Sequence, residues 1–124
     1  MGLKAALSRP LAAYTVHRYQ QWQRDPAAAQ RRLLRTLAQA AAHTAFGRAH
    51  DLGAVHTPAD LAARVPIRDY EGLKPYFDRV KAGQPDVLWP GRPLYLAKTS
   101  GTTSGAKYIP ITKASISNHI NGAK

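Results

Sequence analysis

The chain has no cysteine among its 124 residues, which excludes a disulfide scaffold and a zinc–thiolate centre. It has one glutamate, Glu71, and six aspartates scattered singly, so no pair of carboxylates is set for general acid–base work. Large apolar residues are also scarce. Leu, Ile, Val and Phe supply 24 positions, while alanine alone supplies 22. That places the chain at the composition boundary where a charged sequence has little with which to build a core. No apolar run approaches the ~18 residues that span a bilayer. Lys4 and Arg9 interrupt the first apolar stretch, so a secretory leader is not expected. Ala6 stands where an N-myristoylation motif carries Ser or Thr. The expectation is a soluble cytoplasmic protein without a membrane partner.

What is abundant is positive charge. Eighteen Lys and Arg against seven acids leave a formal net charge of +11. The first fifty residues hold +7 of it. A surplus of this size favours anionic partners, phosphates and nucleic acid among them. Arg31, Arg32 and Arg35 alternate with Leu33, Leu34 and Leu37, which is also how an ordinary solvated helix face reads.

The punctuation predicts a mainly helical stretch over residues 1–91. A first helix is expected over residues 9–24, capped by Ser8, with Pro10 in its first turn. Leu7, Leu11, Tyr14, Arg18 and Trp22 mark its face. Asp25-Pro26 opens a second helix to about Ala45, with Leu33, Leu34, Leu37 and Ala41 as its apolar stripe and Gly47 as its stop. Thr57-Pro58-Ala59-Asp60 is a capping signal for a short helix to Arg64, broken by Val65-Pro66. A further helix covers residues 69–81, interrupted or kinked at Pro75, with Leu73, Phe77 and Val80 buried. Residues 92–124 change character: a strand over 94–98, a loop, a strand over 107–111 and a helix capped by Thr112. Pro110 restricts its strand to an edge. The class implied is α/β.

The strongest chemical signal is Lys98-Thr99-Ser100-Gly101-Thr102-Thr103-Ser104-Gly105-Ala106-Lys107. Eight consecutive residues are Thr, Ser, Gly or Ala, bracketed by lysines and flanked by apolar strands. Glycine lets backbone N–H groups turn toward an anion, and hydroxyls and ammonium groups add donors. The pattern therefore reads as a phosphate cradle. A Ser/Gly linker fits poorly between two strands. A Walker A loop needs four residues between its glycines and a Gly-Lys-Ser/Thr ending, and neither is present.

With these residues in view, the chain resembles the N-terminal part of the auxin-responsive Gretchen Hagen family of acyl-acid amido synthetases, in its bacterial branch. Residues 99–107 look like the phosphate loop of adenylate-forming enzymes. The upstream pieces are Phe46-Gly47-Arg48-Ala49-His50-Asp51, Val65-Pro66-Ile67-Arg68-Asp69-Tyr70, Leu73-Lys74-Pro75-Tyr76 and Leu88-Trp89-Pro90-Gly91. Ala106 alone separates Gly105 from Lys107, where many adenylating enzymes carry two residues. The resemblance implies an enzyme that activates a carboxylic acid with ATP and magnesium, then passes the acyl group from its adenylate to an amine such as an amino acid. It implies that Thr99, Ser100, Gly101, Thr102, Thr103, Ser104, Gly105 and Lys107 bind the ATP phosphates. It further implies that residues 1–124 are part of a longer adenylation domain. Catalytic groups would lie elsewhere, and the 124 residues alone would be inactive.

Two other readings carry less. His17, His43, His50, His56 and His119 show no metal-ligand spacing, so no metal site is expected. A small basic helical module that binds nucleic acid or another protein is the alternative. No nucleic-acid signature accompanies the charge, and the cations are not interleaved with aromatics, so a nucleic-acid partner is not expected.

Overall fold

A computed structural model describes residues 3–99 and 105–122. Among them it is mostly helical, with one small antiparallel sheet. That agrees with part of an α/β domain.

Helix α1 spans Leu3–Gln20 and passes into a 3-10 turn at Gln21–Gln23. The expected start at residue 9 is therefore too late. Leu3, Lys4, Ala5, Ala6 and Leu7 are good helix formers, and their propensity outweighs the local cap signal of Ser8. Pro10 lies inside the helix as a result. On the face that these spacings mark, Tyr14 and Trp22 are both more than half exposed. The side chains of Leu7, Leu11 and Arg18 lie outside the described residues.

Helix α2, Pro26–Ala41, starts as its sequence predicts. The Asp25 carboxylate accepts from Ala28 N–H at 2.8 Å, with Pro26 in the first turn. It stops four residues before the expected end. Thr44 is the cause: its hydroxyl donates to the Ala41 carbonyl at 2.7 Å and accepts from Gly47 N–H at 2.9 Å. One side chain thus ends α2 and caps α3, Ala45–Ala49. Gly47 is not a stop. It is buried within α3, where its missing side chain allows the backbone of Ala41 to approach.

The two free N–H groups that open α3 are satisfied from far along the chain. Ala45 and Phe46 donate to the carbonyls of Asp86 and Val87 at 2.8 and 2.9 Å. Buried helix ends need such partners. Around this junction sits the core: Ala38, Ala41, Leu52 and Val55, with Leu34, Phe46, Leu61, Val65 and Trp89 packed on it. Residues 34, 38 and 41 follow one helical face. Leu33 and Leu37 lie to one side of that face and are exposed, which corrects the expected stripe.

Helix α4, Pro58–Arg64, has a full capping box. Thr57 accepts from Asp60 N–H, and the Asp60 carboxylate accepts from the N–H groups of His56 and Thr57 at 3.1 and 2.8 Å. The hydrogen bond from His56, then those with Thr57, hold the Asp60 carboxyl below its usual 3.8. A carboxyl lowered by folding stabilises the fold above its unfolded value and ceases to do so as pH falls through the folded one. Asp60→Asn is expected to melt below the wild type at neutral pH. The two melting curves should converge as pH drops below about 3.8. A gap that stays constant from pH 7 to pH 2 would show that the carboxylate contributes nothing.

Helix α5, Tyr70–Lys81, is capped by Asp69, whose carboxylate accepts from Gly72 N–H at 2.8 Å. It is one helix through Pro75, not two pieces. Val80 is buried, and Leu73 and Phe77 are half-buried, as the spacing predicts. Strands β1, Tyr95–Lys98, and β2, Tyr108–Ile111, pair antiparallel in the register Tyr95 with Ile111 through Lys98 with Tyr108. Pro110 and Thr112 line a small hollow with Val80, Val87 and Trp89, which seats the hairpin against the helical part. Helix α6, Lys113–Gly122, follows, with Thr112 accepting from Ser115 N–H at 3.2 Å.

Candidate functional site

The glycine- and hydroxyl-rich loop joins β1 to β2. Its two ends are tied at the backbone, where Thr99 N–H donates to the Lys107 carbonyl at 2.9 Å. The chain therefore leaves at Thr99 and returns at Lys107 from adjacent positions on a hairpin. Of the predicted phosphate-binding residues, Thr99, Gly105 and Lys107 are described. Ser100, Gly101, Thr102, Thr103 and Ser104 lie outside the described residues. Gly105 has φ +79°, the left-handed backbone that glycine adopts without strain, and among the described residues, its chain neighbours aside, no atom lies within 4 Å of where a side chain would start.

Lys107 is half-buried, and its ammonium lies 5.6 Å from the centre of the Tyr70 ring. The Tyr70 hydroxyl accepts a hydrogen bond from Tyr108 N–H at 3.2 Å. Tyr70 itself stacks on Phe77, with ring centres 4.9 Å apart and planes 16° apart. The Lys81 ammonium lies 4.7 Å from the centre of the Tyr108 ring. Both distances are within reach of a cation–π attraction. One end of the loop is thus built against α5, with two ammonium groups on two tyrosine faces. Lys98, at the other end, is exposed.

Sequence spacing does not assign Tyr70 or Lys81 to the site. The available signal is the helical period: Tyr70 falls on the same face of α5 as Leu73 and Phe77. What that face meets depends on a strand 38 residues away.

Elsewhere the chemistry is structural. His50 is buried, with Nδ1 at 2.9 Å from the Arg64 carbonyl and its ring 4.4 Å from that of Phe46. Among the described residues, no three His, Asp or Glu side chains are grouped to hold a metal. Arg31, Arg32 and Arg35 are exposed on α2. No helix of the described residues is long and apolar enough to cross a membrane.

Against this geometry, the N-terminal domain of the GH3 family matches residues 15–123. The chain belongs to the GH3 family. Its similarity to individual family members is low and partial. It is 39% identical over 57 residues to a probable indole-3-acetic acid-amido synthetase from Oryza sativa subsp. japonica, covering 44% of this chain and 12% of that protein. A jasmonoyl-L-amino acid synthetase from the same plant is 30% identical over 96 residues, 76% of this chain and 21% of its own length. An indole-3-acetic acid-amido synthetase from Arabidopsis thaliana is 37% identical over 59 residues, 46% and 10% of the two lengths. The chain spans about a fifth or less of the GH3 relatives it matches. No solved structure matches it.

Proposed function

We propose that this chain is the ATP-binding N-terminal part of an acid-amido synthetase, which adenylates a carboxylic acid and transfers the acyl group to an amine such as an amino acid. The observation that carries this reading is the closed loop in a GH3-family chain: residues 99–107 leave and re-enter a β-hairpin with Lys107 at the return. The relatives' names point the same way, since two are acid-amido synthetases and one a jasmonoyl-L-amino acid synthetase. Membership of the bacterial branch of the family is part of this proposal. Cytoplasmic residence is part of the same reading, since ATP is its proposed substrate.

The donor set suits a polyphosphate. Thr99 stands at one end of the loop and Lys107 at the other, with Ser and Thr hydroxyls and two glycines between them in sequence. Among the described residues, its chain neighbours aside, nothing lies within 4 Å of the side-chain position of Gly105. Bound ATP supplies the adenylyl group and a pyrophosphate leaving group. Magnesium would enter with the phosphates, whose charge it would help to neutralise. The acid's own carboxylate attacks, so no side-chain nucleophile is needed. The task of the loop is to bind the triphosphate, spread its charge over amide, hydroxyl and ammonium donors, and hold it in line.

Acid-dependent exchange of pyrophosphate into ATP tests this reading, measured on the full-length protein. A hydrogen bond to a charged group contributes about 1.5–3 kcal/mol. Thr102→Ala and Thr103→Ala should each lower exchange by roughly one to two orders of magnitude. The 124-residue chain alone is expected to stay at background. Full exchange in both threonine variants, or acid-dependent turnover by the isolated chain, contradicts the assignment.

A further inference from the structure

We propose that Tyr70 is a positioning residue for the loop: it fixes the end of the loop at β2 and holds the Lys107 ammonium where a triphosphate would be met. The proposal rests on the phosphate-binding reading of residues 99–107.

It follows from how an antiparallel ladder alternates. Thr99 N–H donates to the Lys107 carbonyl, so the polar backbone groups of Lys107 face β1. The next residue must turn its N–H outward. Tyr108 does so, and that outward N–H is the one taken by the Tyr70 hydroxyl at 3.2 Å. Two residues on, the outward position is Pro110, which has no N–H. Tyr70 therefore satisfies the outward donor that stands directly beside the loop. The same residue also meets Lys107 with its ring, 5.6 Å from the ammonium. Its own position is secured twice, by stacking on Phe77 and by its place in the first turn of a helix capped by Asp69.

The consequence concerns Lys107. A lysine has four rotatable bonds and loses much rotamer freedom when its head is held. A ring face attracts the ammonium without consuming its N–H donors, which remain for an anion. Lys81 lies over the ring of the next residue, Tyr108, so α5 carries a second positive group to the same strand. Tyr70 thereby pre-arranges a charge that a loose side chain would have to order on binding.

The test separates the hydroxyl from the ring, using the full-length protein isotopically labelled at lysine and tyrosine, with inorganic triphosphate as probe. Tyr70→Phe keeps the ring and loses the hydroxyl; Tyr70→Leu loses both. In the wild type and Tyr70→Phe, the ε-methylene protons of Lys107 should show an upfield ring-current shift in NMR spectra. Tyr70→Leu should abolish it. The Tyr108 amide should exchange faster with solvent in both variants. Triphosphate should bind Tyr70→Phe nearly as well as the wild type and Tyr70→Leu about tenfold more weakly. Wild-type binding with unchanged affinity in Tyr70→Leu overturns the role of Tyr70 and leaves the loop reading standing. No wild-type binding, with the ring-current shift lost in Tyr70→Leu, removes the loop reading and leaves Lys107 held by Tyr70. Absence of the shift in the wild type overturns the positioning directly.

Discussion

Gly47→Ala is expected to unfold the junction of α2 and α3 and most of the core with it. An added Cβ would stand 1.9 Å from the Ala41 carbonyl oxygen and 2.8 Å from both the Ala41 carbonyl carbon and the Ala42 oxygen. All three are backbone atoms, so no side chain can swing aside. The backbone cannot retreat easily either. The Ala41 oxygen is held by Thr44 N–H at 3.0 Å and by the Thr44 hydroxyl at 2.7 Å, while Ala41 itself is buried in the core. On the other side, α3 is tied to Asp86 and Val87. Relief requires separating the two helices, which exposes Phe46 and the residues under it. The cost should exceed about 4 kcal/mol, beyond the range of ordinary substitutions. Small domains hold only about 5–15 kcal/mol in total. Gly53→Ala is the matched control: its Cβ would meet the Ala42 Cβ at 3.7 Å, an ordinary contact. Thermal melts followed by far-ultraviolet circular dichroism should show Gly47→Ala largely unfolded and Gly53→Ala close to the wild type. A Gly47→Ala melt within a few degrees of the wild type would mean that the helices do not meet as described.

Gly101→Val should remove adenylation in the full-length protein. Glycine in such a loop lets main-chain N–H groups come close to an anion, and a β-branched side chain blocks that approach while stiffening the backbone. Loss of one well-placed donor to a reacting anion lowers rate by about 10²–10³. Displacing the triphosphate as a whole should cost at least that. Gly105→Ala provides the contrast. Its side chain would meet no atom of the described residues beyond its chain neighbours, and the left-handed backbone at φ +79° opposes it by about 1–2 kcal/mol. The measurement is acid-dependent pyrophosphate exchange, with ATP affinity followed separately. The expected order is wild type, then Gly105→Ala lowered by roughly tenfold, then Gly101→Val at background. Full exchange and ATP affinity in Gly101→Val would reduce the loop to a connection between two strands.

Several features of this chain were determined by its sequence alone, and they share a cause. Asp25, Thr57 and Asp69 cap their helices, and Thr112 caps the last, through bonds between a side chain and an N–H three residues away. Such bonds need no tertiary context, so the starts after Asp25, Thr57 and Thr112 read correctly, while the helix expected from residue 69 begins at Tyr70 with Asp69 as its cap. The strands around the loop read correctly because apolar runs of that length, bounded by turn residues, have few alternatives. The family pieces are likewise linear, and the loop was legible as composition.

Tertiary structure decided the rest. Whether Gly47 ends a helix or lies buried inside one depends on Thr44 capturing the Ala41 carbonyl and on Asp86 and Val87 closing the new helix from forty residues away. Which leucines of α2 are buried depends on what the helix meets, and propensity is the same for Leu33, Leu34 and Leu37. Local propensity had no rival at α1, so the helix runs past Ser8 to Leu3. Tyr70 is the plainest case. Its residue type and helical position were readable, but the amide it satisfies and the ammonium it faces are brought to it by the return of a hairpin, and no local interaction encodes that meeting.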